Sequence, residues 1–212
     1  MNSRVSAPPA FYFDGRLDSG LDYAAYEASM REYAARSPNE NMTAEEREHH
    51  DNAAINLQRA SRISRTYQPS EKIRGIAAQL RQPQMWMLLS EVWCGDSAQC
   101  VPLIARIAEL SPHISLRILL RDKHLDIMDA YLTGGKRCIP MLVVFTAKGD
   151  ELGRWGARPR SAQEIVTRAF AEGATKQIRL ERLHLWYGRN RGVELEEELA
   201  ALLSATLEDG ID

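Results

Sequence analysis

The segment EVWCGDSAQC, residues 91–100, carries the side chains that are best suited to chemistry. Cys94 stands between Trp93 and Gly95, and the residues that follow have the pattern of a helix. A cysteine in the first turn of a helix meets unpaired backbone N–H groups and the positive end of the helix dipole, which favour a thiolate. Because the thiolate is the form that attacks disulfides, we predict that Cys94 is a nucleophile with a lowered pKa.

Ser97 lies three residues after Cys94, one turn along the same helix face. Its hydroxyl can donate a hydrogen bond to a thiolate, but it cannot attack a mixed disulfide and so cannot release a bound substrate. Two nearby carboxylates have the residue type for acid–base work. We interpret Asp96 as a helix cap or surface group and Glu91 as a surface residue at the end of a strand.

The other cysteine on the predicted helix, Cys100, is a poor partner for Cys94. Six helical residues span about 9 Å, whereas a disulfide needs Cα atoms within about 7 Å of each other. We therefore predict that Cys100 is a small buried packing residue. No Cys/His cluster has zinc spacing, and His49 and His50 are adjacent on a predicted helix and point in different directions, so we expect no metal and no other cofactor.

The composition is that of an ordinary soluble globular protein, with 44% hydrophobic residues, 26% charged residues and a net charge of −2 over 212 residues. This balance gives no indication of a nucleic-acid partner. No apolar run approaches the roughly 20 residues that cross a bilayer, so we expect no membrane association. The first twenty residues lack the apolar core of a secretory signal, and three cysteines are not a disulfide framework, so we expect a cytoplasmic protein.

The sequence before Pro83 has helical patterns only. Residues 1–17 are predicted to be irregular, and a helix follows with tyrosines at helical spacing. Thr43 and Glu46 have the form of a capping box, from which a long polar helix is predicted to run to about Tyr67. A shorter helix is predicted after Ser70.

After Pro83 the pattern alternates between short apolar strands and helices. The predicted order is strand, helix, strand, helix, strand, strand and helix, followed by a charged helical tail. The alternation implies parallel strands with crossover helices, and the short turn around Lys148 and Gly149 implies an antiparallel hairpin. We predict three regions: a helical N-terminal extension over 1–70, an α/β domain over 71–172 and a helical C-terminal tail over 173–212.

This element order and the motif resemble the thioredoxin-like superfamily, and WCGDSAQ is similar to a little-characterised bacterial branch of it. The family has Trp-Cys-Gly between a strand and a helix, a proline eight residues later, an Ile-Pro with cis proline before an antiparallel strand, and a glycine at the end of the last hairpin. The matching residues are Trp93-Cys94-Gly95, Pro102, Ile139-Pro140 and Gly156.

The resemblance implies an α/β thioredoxin-like fold, a mixed sheet flanked by helices. It also implies that Trp93, Gly95, Ile139 and Pro140 form a substrate groove beside Cys94. Two departures matter, because Ser97 stands where the family has its resolving cysteine, and Leu88 stands where the family commonly buries an aspartate. The ordinary dithiol cycle is therefore not expected.

Three functions remain open at this point. The favoured one is thiol–disulfide exchange at Cys94 alone, with protein or small-molecule disulfides as substrates and a low-molecular-weight thiol as reductant. Cys138 precedes Ile139-Pro140, which the resemblance places beside Cys94, so a dithiol enzyme using Cys94 and Cys138 is an alternative. The remaining alternative is a non-catalytic binding or interaction module with an incidental thiol.

Overall fold

A computed structural model describes residues 8–208, so the first seven residues of the predicted N-terminal extension and the last four of the tail lie outside the described residues. The centre of the fold is a four-stranded sheet in the order β2-β1-β3-β4. Its strands are β1 (Gln84–Ser90), β2 (Ile114–Leu120), β3 (Met141–Thr146) and β4 (Glu151–Gly156). Strand β1 pairs parallel with β2 and antiparallel with β3, and β3 pairs antiparallel with β4. This mixed sheet confirms the predicted fold class.

Helices flank this sheet. The ones that precede it are α1 (Tyr23–Ala35), α2 (Ala44–Asp51), α3 (Ala53–Thr66) and α4 (Glu71–Ala77). Within and after the sheet come α5 (Gly95–Ala108), α6 (Leu125–Asp129), α7 (Arg160–Ala171), α8 (Lys176–Asn190) and α9 (Val193–Glu208). The helix predicted to start at the Trp-Cys-Gly motif is therefore confirmed as α5.

Strand β1 and helix α5 form the centre of the core. Consecutive β1 residues from Met87 to Leu89 are fully buried, as expected for a strand that is covered on both faces. Pro102 lies within α5, and the helix nevertheless continues for six more residues to Ala108. This arrangement places the start of α5, with Cys94, at the end of β1.

Two predictions for the N-terminal region were wrong. The capping box at Thr43 is present, but the long helix breaks at Asn52 into α2 and α3. Asparagine is unfavourable inside a helix because its side chain competes for backbone groups, and here the Asn52 amide donates to the Glu48 carbonyl. The lead-in is not wholly irregular, because Ala10–Phe13 forms a 3-10 turn that buries Phe11.

The two extensions pack on the central domain and contribute to the same core cluster. Leu21 makes an antiparallel bridge to Ile118 at the outer edge of β2. In the same extension, α3 packs along α5. In the tail, α8 packs on α7, whereas α9 packs on α4 and β4. No helix in the described part of the chain is long and apolar enough to cross a membrane.

Candidate functional site

Cys94 is the N-cap residue of α5, and its sulfur faces two backbone groups. The Ser97 N–H donates to Cys94 Sγ at 3.5 Å, and the thiol donates to the Ile139 carbonyl oxygen at 3.6 Å. The Ile139-Pro140 peptide bond is cis. The first helical turn and the loop before β3 therefore meet at the sulfur, as the resemblance implied.

The remaining cysteines lie in different surroundings. Cys100 is fully buried with its sulfur 3.7 Å from the Tyr187 hydroxyl, which confirms that it is a packing residue. Cys138 is half-buried, and its backbone N–H donates to the Lys136 carbonyl. All three cysteines are free thiols. The proposed resolving role of Cys138 stays a prediction.

Trp93 lies under side chains from two other parts of the chain. The His49 ring of α2 stacks on the Trp93 ring, with centroids 3.9 Å apart and planes 4° apart. The guanidinium of Arg121 lies 4.9 Å from the centre of the same ring. From α3, the Asn56 amide donates to the Trp93 carbonyl oxygen at 2.9 Å, and Arg59 donates to the same Asn56 side chain. Because the stacking and a partly buried hydrogen bond act together, α2 and α3 cover the motif.

Gly95 lies beneath both extensions. A Cβ atom at this position would stand 3.3 Å from Cε1 of His184 on α8 and 3.8 Å from Oδ1 of Asn56 on α3. Burial, with a smaller effect of Arg59, lowers the pKa of His184 to about 4, so its imidazole is neutral at physiological pH. The Trp-Cys-Gly motif is therefore closed over by α3 and α8.

Asp96 is not the cap or surface group that was predicted. It is buried, its carboxylate forms an ion pair with Arg158 at 2.7 Å, and it accepts a hydrogen bond from the Tyr187 hydroxyl at 2.8 Å. Burial raises the pKa of Asp96, and Arg158 opposes that shift. The prediction was wrong because both partners are distant in the sequence, on the loop after β4 and on α8.

Glu91 was predicted to be a surface residue and is instead 6% exposed. Its carboxylate accepts a hydrogen bond of 2.8 Å from the Asp122 backbone N–H. Burial raises the pKa of Glu91 to about 7, and this hydrogen bond opposes the shift. Glu91 therefore titrates in the neutral range, three residues before Cys94.

The electrostatics of Cys94 differ from the prediction. Burial, and after it the Asp96 carboxylate, raises the pKa of the Cys94 thiol to about 11, and the hydrogen bonds from Ser97 and the helix start offset only part of this. The predicted lowering was wrong because it considered the helix terminus without the layer that covers it. Ser97 is fully buried, and its hydroxyl has no hydrogen-bond partner among the described residues.

Sequence reasoning missed the side chains that close the site, namely His49, Asn56, Arg59, Arg158, His184 and Tyr187. One signal was available, since Asn56 falls four residues before buried Ala60 on the apolar stripe of α3. An amide on a buried stripe needs a partner, which here is the Trp93 carbonyl. The other side chains carry no comparable local pattern.

The mixed sheet, the cysteine at the start of α5 and the cis proline facing it define the chain as a thioredoxin-like protein. A family model described as Thioredoxin matches residues 41–173. The chain therefore belongs to this family, and the match includes α2 and α3, which cover the motif.

Comparisons with solved structures agree with this fold. An HIV epitope scaffold superposes with a TM-score of 0.59 at 16% identity, over 90% of this chain and 96% of that one. A protein of unknown function from Pseudomonas aeruginosa superposes with a TM-score of 0.56 at 16% identity, over 92% and 95% of the two chains. At this identity the likeness concerns the fold alone. No curated protein matches the chain.

Proposed function

We propose that this protein carries out thiol–disulfide exchange through a single nucleophilic cysteine, Cys94. The observation that supports this most is the placement of Cys94 Sγ between the Ser97 N–H and the Ile139 carbonyl. The Ser97 N–H stabilises a thiolate, and the backbone beside the cis proline offers an edge to an extended substrate. Trp93, Gly95, Ile139 and Pro140 are the proposed substrate contacts.

The exchange takes two steps. The Cys94 thiol gives its proton to solvent, and its sulfur attacks one sulfur of a substrate disulfide, so that a mixed disulfide forms and the other sulfur leaves as a thiolate that is then protonated. A low-molecular-weight thiol attacks the mixed disulfide, which regenerates the Cys94 thiol and carries the substrate group away as a disulfide. Ser97 cannot perform the second step, because a hydroxyl does not exchange with disulfides.

Access to the sulfur requires a movement. Cys94 is buried and its pKa is raised to about 11, so the described conformation is a resting one. The part of the cover that α2 and α3 supply consists of contacts that can separate without disturbing the sheet: the His49–Trp93 stack and the Asn56–Trp93 hydrogen bond. In this proposal, a substrate reaches Cys94 when α2 and the start of α3 move away from Trp93.

The same burial favours a second candidate, a thioredoxin-fold interaction module whose thiol takes no part. A cysteine enclosed by apolar neighbours with a raised pKa is ordinarily inert. The extensions would then serve as the working surface of the protein.

Reaction with glutathione disulfide separates the two candidates. The single-cysteine proposal expects a glutathione adduct on Cys94 by peptide mass mapping, its loss in Cys94→Ser, and its release by added reduced glutathione. Cys138→Ser should form the same amount of adduct as the unmodified chain. If Cys138 resolved the mixed disulfide, this variant would instead accumulate more adduct than the unmodified chain. Absence of any adduct on Cys94, both in the unmodified chain and in Asn56→Ala, would leave the interaction module as the function.

A further inference from the structure

A cavity of about 360 Å³ lies between the two extensions and the outer face of α5. Its walls come from the C-terminal half of α3, from α5, from the end of α8 and from the start of α9. Pockets that hold small molecules usually measure from about 300 to 1,000 Å³. The cavity therefore has the size of a small-ligand site, and it is separate from the sulfur of Cys94, which does not line it.

The mouth of the cavity carries positive charge. Arg62 on α3 and Arg191 at the end of α8 both line it, and neither side chain makes an ion pair or a hydrogen bond within the described residues. Among the residues that the structure describes, no Asp or Glu lines the cavity. The neighbouring carboxylate of Glu196 is engaged by the Tyr67 hydroxyl and the Ser70 N–H. Two unpaired guanidinium groups at one opening favour an anion.

The floor of the cavity holds a polar group with no protein partner. Gln99, on the α5 turn after the Trp-Cys-Gly motif, is 5% exposed and lines the cavity. Its side-chain amide makes no hydrogen bond to any described residue. An amide that lines a cavity and has no protein partner is available to a bound molecule. The amide both donates and accepts, which suits an oxygen-rich group.

Most of the remaining lining is apolar or aromatic, and the two other polar residues, Thr66 and Asn190, each have a hydrogen bond to a neighbouring backbone group. The apolar and aromatic part includes Ile63, Leu103, Trp186 and Leu195, together with the ring of Tyr67. The Tyr187 hydroxyl is already engaged by Asp96, so this tyrosine contributes its ring to the wall. Ligand pockets usually have apolar walls with a few precisely positioned polar groups.

We propose that this cavity binds a small organic anion: a carboxylate, sulfonate or phosphate on an apolar or aromatic body. The anionic group lies between Arg62 and Arg191, the body fills the space between Trp186 and Leu103, and the Gln99 amide hydrogen-bonds a polar atom of the ligand. The site goes beyond exchange at Cys94 and requires no reaction there.

The test uses two fluorescent probes that differ only in the sulfonate group, 8-anilinonaphthalene-1-sulfonate and its neutral counterpart N-phenyl-1-naphthylamine. Binding to the full chain is followed by titration. We expect the sulfonate to bind about tenfold more tightly than the neutral probe, because charge-assisted contacts are the stronger ones. The double variant Arg62→Gln/Arg191→Gly should lose this advantage. Arg191 has φ 53°, a left-handed conformation that glycine adopts readily, so the replacement keeps the fold.

Two further variants locate the site. Arg65→Gln removes an exposed charge from the same helix outside the cavity and should leave both affinities unchanged. Gly188→Phe should abolish binding of both probes, since Gly188 lines the cavity and an added Cβ meets no atom within 4 Å. Equal affinities for the two probes, or unchanged sulfonate binding in either the double variant or Gly188→Phe, would overturn the proposal.

Discussion

The Asn56 side chain of α3 donates a 2.9 Å hydrogen bond to the carbonyl oxygen of Trp93, the residue before Cys94. Asn56 is 1% exposed and Trp93 is partly exposed, so this bond is partly buried. It connects the N-terminal extension directly to the Trp-Cys-Gly segment. The extension is thus part of the environment that sets the properties of Cys94.

Replacing Asn56 with alanine should expose the thiol. The change leaves the Trp93 carbonyl without its partner, at a cost of about 1–3 kcal/mol, and weakens the contact that holds α3 over the motif. We expect the rate at which iodoacetamide alkylates Cys94 to rise about tenfold. Peptide mass mapping over time measures this rate. Gln58→Ala is the matched control, because Gln58 is an exposed polar residue on the same helix and its side chain makes no hydrogen bond within the described residues. Equal rates in Asn56→Ala and the unmodified chain would show that α3 does not limit access.

Asp96→Asn should lower the pKa of the Cys94 thiol. The Asp96 carboxylate is the second cause, after burial, of a pKa of about 11, and asparagine removes its charge while nearly keeping its shape. We expect the midpoint of the alkylation pH–rate profile to move to lower pH and the rate near about pH 8 to rise roughly threefold to tenfold.

The same change removes the ion-pair partner of Arg158, so the free energy of unfolding should fall, and urea denaturation measures it. Glu32→Gln, at an exposed position of α1 where the side chain makes no ion pair within the described residues, is the control that should move neither quantity. An unchanged pH–rate midpoint in Asp96→Asn would contradict the assigned charge effect.

Glu91 should make stability depend on pH. Its pKa rises from 4.5 to about 7 on folding, so the native state favours the neutral carboxyl. This contribution is fully present below pH 4.5 and is lost as pH rises through about 7. Glu91→Gln keeps a neutral side chain at every pH. The unmodified chain should therefore lose about 2 kcal/mol relative to this variant across that window, allowing for partial solvent screening.

Urea unfolding of the two chains at both ends of the window measures this difference. Glu32→Gln, an exposed glutamate on α1, should show the same pH dependence as the unmodified chain. A constant stability difference between Glu91→Gln and the unmodified chain across the window would mean that folding does not shift the pKa of Glu91.

The sequence predicts the architecture well and the environment of the site poorly, for a physical reason. Apolar runs, turn residues and the start of α5 are local patterns, and they locate β1 and Cys94 correctly. The pKa of the thiol depends on Asp96, Asn56 and the other groups packed around it. The partner of Asp96 is Arg158, which is 62 positions away, and no periodicity encodes such a pair. The helix start alone therefore predicted a pKa shift in the wrong direction.

Ser97→Cys should convert the site into a dithiol. Ser97 lies one turn after Cys94, with its backbone N–H 3.5 Å from Cys94 Sγ, and its own hydroxyl is buried without a hydrogen-bond partner. Replacing the Ser97 hydroxyl with a thiol should cost little stability, because no hydrogen bond is lost. The new sulfur should lie close enough to the Cys94 sulfur to form a disulfide. After mild oxidation with diamide we expect a 94–97 disulfide, seen as the loss of two hydrogens in the mapped peptide. The bond should be absent in Cys94→Ser/Ser97→Cys. A Ser97→Cys chain that keeps both thiols under conditions that oxidise dithiothreitol would show that the site cannot host dithiol chemistry even when the missing sulfur is supplied.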